Sequence, residues 1–235
     1  DGNGGANYAV TFVNDTTGVI TPLAITVTPD AGQTKVYGDA DPTFTYTNDP
    51  LLGGDVLPGA LARVSGENVD SYDYELGSLS GSGNYALTLD PDTFDVTQRP
   101  ITVVAETDNK VYDGTAVSVV APTVVGSPAF SDTPSFNQSF DDQLVGVGKT
   151  ITASGSVTDG NGGANYNVTF VTNTSGVITP RPLTISGLTA DNKIYDATMA
   201  ATLAGTPVLE NTVTGDDVSL TGTPVGTFDA ANVGT

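Results

Sequence analysis

Apolar and polar side chains alternate in short runs along the whole chain. Tyr8, Val10 and Phe12 are separated by polar or small residues, as are Tyr85, Leu87 and Leu89, and Tyr166, Val168 and Phe170. A period of two with one apolar face predicts half-buried antiparallel strands. Further short strands are predicted just after prolines, over residues 23–27, 101–103 and 183–185. Gly, Pro, Asn and Asp interrupt these runs at short intervals, and no helical stripe survives more than a turn or two. Residues 59–63 are the best candidate for a single helical turn. The pattern predicts an all-β chain.

The strands recur in a fixed order, so the chain is repetitive. DGNGGANYAVTFVNDTTGVITP at 1–22 returns 158 positions later as DGNGGANYNVTFVTNTSGVITP, with only positions 9, 14, 15 and 17 changed. A shorter period lies inside this one. Lys-x-Tyr occurs as Lys35-Val36-Tyr37, Lys110-Val111-Tyr112 and Lys193-Ile194-Tyr195; Asn-Tyr occurs as Asn7-Tyr8, Asn84-Tyr85 and Asn165-Tyr166. The unit is about 79 residues. Cutting at the prolines divides the chain into the last part of one unit (1–21), two full units (22–98 and 99–180) and the first two-thirds of another (181–235). An opening directly on DGNGGANY reads as a piece of a longer chain.

Composition narrows the chemistry. Among 235 residues, 27 are acidic and 7 basic, giving a formal charge of −20, and there is no Cys or His. Seven scattered cations cannot build the basic stripe that a nucleic acid requires. Without His and Cys the usual zinc, haem and iron–sulfur ligands are missing, and Ser-His-Asp or Cys-His catalysis is excluded. No run reaches the roughly 18 apolar residues of a membrane span. Thr, Val and Gly in place of Leu, Lys and Glu favour strands over helices. A disulfide-free, acidic β protein suits bacterial export without oxidative folding; a cytosolic acidic protein is the alternative.

The motifs carry a family resemblance. The unit at 22–98, with Lys35-Val36-Tyr37-Gly38-Asp39-Ala40-Asp41-Pro42, resembles the MBG domain of the YGX type. The unit at 99–180, with Lys110-Val111-Tyr112-Asp113-Gly114-Thr115, resembles the YDG domain. Residues 181–235 are similar to YDG, with Asp196-Ala197 in place of Asp-Gly, and residues 1–21 resemble the tail of a YDG repeat. The resemblance implies tandem arrays in secreted bacterial surface adhesins or filamentous surface proteins. It implies no catalytic activity.

Three kinds of candidate site remain. Lys and Tyr two residues apart on a strand share a face. The plainer reading of Lys35/Tyr37, Lys110/Tyr112 and Lys193/Tyr195 is structural, with the Tyr at the core edge and the Lys stem beside it. The sharper reading is a Lys–Asn isopeptide crosslink. Asn7/Tyr8, Asn84/Tyr85 and Asn165/Tyr166 are read as the matching structural motif at the close of each unit. Acidic pairs supply weak calcium candidates, namely Asp39, Asp41, Asp90, Asp92, Asp216 and Asp217, with Asp141/Asp142 of the same kind. None has the EF-hand spacing, and turn-making Asp is the alternative. The same pairs sit adjacent or two apart on turns, which is poor geometry for a glycosidase. No cofactor is expected. Tyr72 and Tyr74 alternate on one strand face, as a sugar platform or a core-facing pair.

The sequence thus predicts an all-β array of tandem small antiparallel β-sandwich or β-grasp-like modules, elongated and extracellular on a bacterial surface. Its expected role is a stalk or filament body, and it is not expected to be an enzyme. Its expected partners are neighbouring repeats or identical chains end to end. The N-terminal strand of one chain would complete the last module of the next. The alternative function is an adhesin module that itself binds glycan or a host surface.

Overall fold

The structure, a computed structural model, describes residues 1–234 and contains no helix among them. The chain divides into two compact units, with the boundary in sequence after Arg99.

In the first unit, β1 (Leu23–Pro29) lies between β3 (Tyr46–Asn48) and β6 (Tyr85–Leu89). A second sheet runs in the order β2 (Thr34–Val36), β7 (Thr93–Thr97), β5 (Asp70–Glu75), β4 (Ala62–Arg63). Alternation along β1 turns Ile25 and Val27 inward, and along β7 it buries Phe94 and Val96. Val27, Leu61 and Leu79 form one cluster, with Phe44 and Leu89 packed against it. Phe44 meets Tyr74 and Phe94 edge-on at centroid separations of 5.4 and 5.1 Å. Such pairs add about 0.5–1.5 kcal/mol beyond area burial.

The second unit repeats that plan. β8 (Arg99–Val104), whose first residue is the last of the first unit, lies between β10 (Thr123–Val125) and β13 (Tyr166–Val171). The other sheet runs β9 (Asn109–Val111), β14 (Asn173–Thr179), β12 (Gly146–Thr158), β11 (Thr133–Phe140). Strand for strand this is the order of the first unit. Ile101, Val103, Ile151, Val157 and Ile178 fill its core. Gly155 is required where β12 crosses β11: its φ is +134°, and a Cβ there would lie 2.1 Å from the Ser135 carbonyl oxygen.

Residues from Thr184 onward begin the plan again. β15 (Thr184–Ala190) pairs antiparallel with β17 (Leu203–Glu210), as β1 does with β3. β16 (Ala200–Ala201) pairs with β18 (Gly226–Thr227), seven residues after Lys193; Val117, seven residues after Lys110, bridges to Ser139 in the same way.

The all-β, sandwich-like modules agree with the pattern in the sequence. Three local expectations do not. The strand at Tyr85–Leu89, expected antiparallel, pairs in parallel with β1, because alternation sets which face is buried and not the direction of the partner. Residues 59–63 form no helical turn: Gly59 has a φ of +98°, and Leu61 and Arg63 point inward while Ala62 does not, as a strand requires. Residues 8–13 form no strand, although their counterparts make β13, because a strand needs a ladder partner and these residues are exposed.

Candidate functional site

The loop that opens the chain shows what folds without help. Asp1 Oδ1 accepts the backbone N–H groups of Asn3 and Gly5 at 3.0 and 3.1 Å, and Asn3 Nδ2 donates to Asn7 Oδ1 at 3.1 Å. Asp159 does the same with Asn161 and Gly163 at 2.8 and 2.7 Å, and Asn161 donates to Asn165 at 3.0 Å. Gly2, Gly4 and Gly5 have φ of +74°, +60° and +84°; Gly160, Gly162 and Gly163 have +74°, +67° and +83°. These successive N–H groups form an anion nest already filled by the chain's own carboxylate. Burial works to raise the Asp159 pKa, but the three N–H groups, from Gly163, Asn161 and Asn165, outweigh it and hold it below the usual value.

The Asn-Tyr motif clamps a distant turn onto that loop. Tyr166 Oη accepts the Ala129 N–H at 2.8 Å and donates to Asp132 Oδ2 at 2.6 Å. Tyr85 Oη accepts the Leu52 N–H at 3.0 Å and donates to Asp55 Oδ2 at 2.8 Å. In both, the aspartate closes its own turn, Asp132 N–H to Ala129 C=O and Asp55 N–H to Leu52 C=O. Asp216 closes the matching turn on Val213, and its carboxylate accepts from Tyr112 Oη at 3.2 Å. Asn165 is fully buried, whereas Asn84 is exposed and its carbonyl accepts the Leu23 N–H at 2.9 Å. Tyr8, the N-terminal counterpart, is 73% exposed.

The Lys-x-Tyr lysines close loops. Lys110 Nζ reaches Asp113 Oδ1 at 2.7 Å and the carbonyls of Thr115 and Val117 at 2.8 and 2.9 Å, with the Phe140 ring centroid 5.7 Å away. Lys193 repeats this with Asp196 at 2.8 Å, Thr198 and Ala200 carbonyls at 2.7 and 3.0 Å, and Phe228 at 5.6 Å. An ammonium has three donors and no acceptor, and these partners use all three. Lys110 and the N–H and hydroxyl of Thr115 hold Asp113 down to about 2; Lys193 and Thr198 do the same to Asp196.

Lys35 solves a harder version of the problem. Its side chain and that of Arg63 are both buried, and Asp41 lies between them at 2.7 Å from each. Glu67 closes the group at 2.6 Å from Lys35 and 3.3 Å from Arg63. Arg63 stacks on Tyr72, 4.8 Å from its centroid, and donates to the carbonyl of Gly66 at 2.6 Å. Arg63 and then Lys35 hold the Asp41 carboxyl below its usual range, against burial. Tyr72 thus covers a cation, while Tyr74 is buried among Phe44 and Phe94 with no hydrogen-bond partner for its hydroxyl among the described residues.

The calcium candidates are scattered. Asp39 pairs with Arg99 at 3.0 Å, Asp41 with the cations just described, and Asp90 with the Thr28 hydroxyl at 3.4 Å. Asp92 accepts the Thr93 N–H, Asp216 serves Tyr112, and Asp217 is exposed. Asp141 and Asp142 flank Lys149 at 3.1 and 2.6 Å. No group of three or more metal-ligating side chains forms among the described residues.

Several partners escaped the motif reading: Arg63, Glu67, Asp55, Asp132 and Phe140. Ser139-Phe140-Asp141 recurs as Thr227-Phe228-Asp229, a signal that could have found the aromatic lid. Gln138, Ser118 and Asp108 form a buried polar chain, Gln138 donating to Ser118 at 3.1 Å and Ser118 to Asp108 at 2.7 Å. Only the inward phase of Gln138 between Phe136 and Phe140 hinted at it.

A groove of about 480 Å³ lies beside Lys193, Tyr195 and Phe228. Within residues 99–180 the matching Lys110 and Phe140 are covered: Phe140 is 3% exposed and lies under Gly176 of β14.

Comparison with known proteins places these units. The model of the MBG domain (YGX type) matches residues 25–95, and that of the YDG domain matches 97–175 and 179–235. No curated protein and no solved structure matches. The chain therefore belongs to the YDG domain family, with an MBG domain of the YGX type preceding two YDG domains in tandem.

Proposed function

We propose that this chain is a structural repeat segment of a secreted bacterial surface adhesin or extracellular fibre, serving as a stalk or filament body. The observation that carries the reading is the recurrence of one sheet plan, β3-β1-β6 with β2-β7-β5-β4, as β10-β8-β13 with β9-β14-β12-β11. The conspicuous polar groups bind the fold: the lysines close loops, the tyrosines clamp turns, and the aspartates serve both. Placed between a cell anchor and an unrelated binding domain on a bacterial surface, the chain should increase capture of a bulky target over direct fusion. Equal capture would count against a spacer.

The reading includes head-to-tail strand complementation between copies. Residues 15–21 differ from β14 only at Asp15 and Thr17, and they already hold its local form. Asp15 Oδ1 accepts the Thr17 N–H and hydroxyl at 2.9 and 2.6 Å; Asn173 Oδ1 accepts those of Ser175 at 2.8 and 2.6 Å. Ile20 is 99% exposed where Ile178 is 1%. The groove beside Lys193 and Phe228 takes Ile20 of a second copy, and Asp216 takes its Tyr8. Such a contact is heterologous and generates open filaments. Sedimentation should show concentration-dependent polymers that vanish when residues 1–21 are removed. Monomers at all concentrations would remove complementation and leave the stalk reading standing.

A further inference from the structure

In each complete module the first and last stretches of chain run side by side in the same direction. β1 pairs in parallel with β6 from Leu23↔Tyr85 to Val27↔Leu89, and β2 pairs in parallel with β7 from Thr34↔Asp95 to Val36↔Thr97. Backbone bonds continue this seam beyond both strand pairs. Leu23 N–H donates to Asn84 C=O at 2.9 Å, Asp90 N–H to Val27 C=O at 2.8 Å, Asp95 N–H to Gln33 C=O at 3.3 Å and Tyr37 N–H to Thr97 C=O at 2.9 Å.

The second module has the same seam. β8 lies beside β13, and β9 pairs in parallel with β14 from Asn109↔Val177 to Val111↔Thr179. Ala105 N–H donates to Val171 C=O at 2.9 Å and Tyr112 N–H to Thr179 C=O at 2.9 Å. Side chains reinforce both seams at equivalent places. Thr97 Oγ1 donates to the Lys35 carbonyl at 3.0 Å, and Thr179 Oγ1 to the Lys110 carbonyl at 3.3 Å. The same two lysines anchor their strands through the ion pairs described above.

A parallel terminal pair sets the direction of strain. The chain enters the seam at the start of β1, in the β1–β6 ladder, and leaves at the end of β7, in the β2–β7 ladder, so the two points of attachment lie at opposite ends of the seam. Tension along the chain then pulls along the strands, while the interstrand bonds run across them. All must yield together. Had the terminal strands been antiparallel, entrance and exit would share one end, and tension would open the ladder one bond at a time. Resistance to force follows the unfolding rate and not equilibrium stability. A module with a modest core can therefore be weak in denaturant and strong under tension.

We propose that the parallel terminal seam makes each complete module a shear clamp, built to resist tension applied along the chain. The proposal rests on the stalk reading only for the source of the tension, and the experiment probes the clamp alone. The chain contains no cysteine, so introduced pairs define the pulling points. The full chain carrying Gly18→Cys and Ser80→Cys is stretched by single-molecule force spectroscopy in two geometries. Pulled through its two ends, it should show two high-force events releasing the lengths of residues 22–98 and 99–180, at about 3.3–3.6 Å per residue. Pulled between the cysteines, which load the adjacent starts of β1 and β6, the first module should open at several-fold lower force. End-to-end pulling of the same variant matched to the unsubstituted chain checks that the variant is folded. If that match fails, Thr16→Cys with Ser82→Cys loads the same two strand starts. Equal forces in the two geometries, or a weaker end-to-end event, would overturn the clamp.

Discussion

Ala197 occupies a backbone conformation that its relatives give to glycine. Its φ is +62°, against +79° for Gly114 at the equivalent position after Lys-x-Tyr-Asp. The strong local bonds from Asp196 to the Thr198 N–H and hydroxyl hold it there. A left-handed alanine costs about 1–2 kcal/mol, and glycine returns part of that as unfolded-state entropy. Ala197→Gly should therefore stabilise the 181–234 region by roughly 0.5–1 kcal/mol, read as slower amide exchange in β15 and β17. Tyr74 offers a second test. Its hydroxyl is buried without a partner among the described residues, so Tyr74→Phe should be neutral or stabilising by up to about 1 kcal/mol in urea unfolding. A clear loss would mean that the hydroxyl has a partner.

The same scale governs the response to acid. Asp113 and Asp196 have an ordinary value of 3.8 and are held at about 2 by Lys110 and Lys193. A carboxylate lowered on folding contributes stability above its unfolded value and loses it as pH falls through the folded one. Urea midpoints should hold steady down to pH 4 and then fall toward pH 2. Asp113→Asn should flatten that fall in the second module. A midpoint that rises below pH 4 would contradict the assignment.

At the scale of elements, the loops were legible in the sequence and the pairings were not. DGNGGAN folds identically at both ends of its repeat because its bonds span at most a few residues. The lysines of the Lys-x-Tyr motif also act locally: Lys110 and Lys193 close loops of only seven residues onto Val117 and Ala200. Residues 8–13 carry the alternation of a strand and form none, because period two states which face would be buried and not what buries it. The parallel pairings of β1 with β6 and β2 with β7, and the partnership of Tyr166 with Asp132, join residues far apart and leave no local trace. Tyr166→Phe should cost about 1–3 kcal/mol in thermal unfolding, since it removes the hydroxyl bonded to both the buried Ala129 N–H and the Asp132 carboxylate. A loss confined to a few tenths would show that the clamp contributes little.

At the scale of the whole molecule, the charge of −20 gains a meaning that composition alone did not supply. Asp41, Asp113, Asp141, Asp142 and Asp196 hold lysines, Asp55 and Asp132 hold tyrosines, and Asp159 fills its own nest. Of the calcium candidates, Asp41 holds Lys35 and Arg63, Asp39 pairs with Arg99 and Asp216 accepts from Tyr112, while Asp217 is exposed. Among the described residues, the recurring polar groups around Lys110, Lys193, Tyr85, Tyr166 and Asp159 bond within their own modules. As a proposed stalk, the chain is expected to engage its own copies and no glycan or host surface. The most direct test is to present the full chain to arrays of glycans and host matrix proteins and measure saturable binding. No saturable binding is expected at any position. Saturable binding that is lost on substitution of exposed residues would contradict the account.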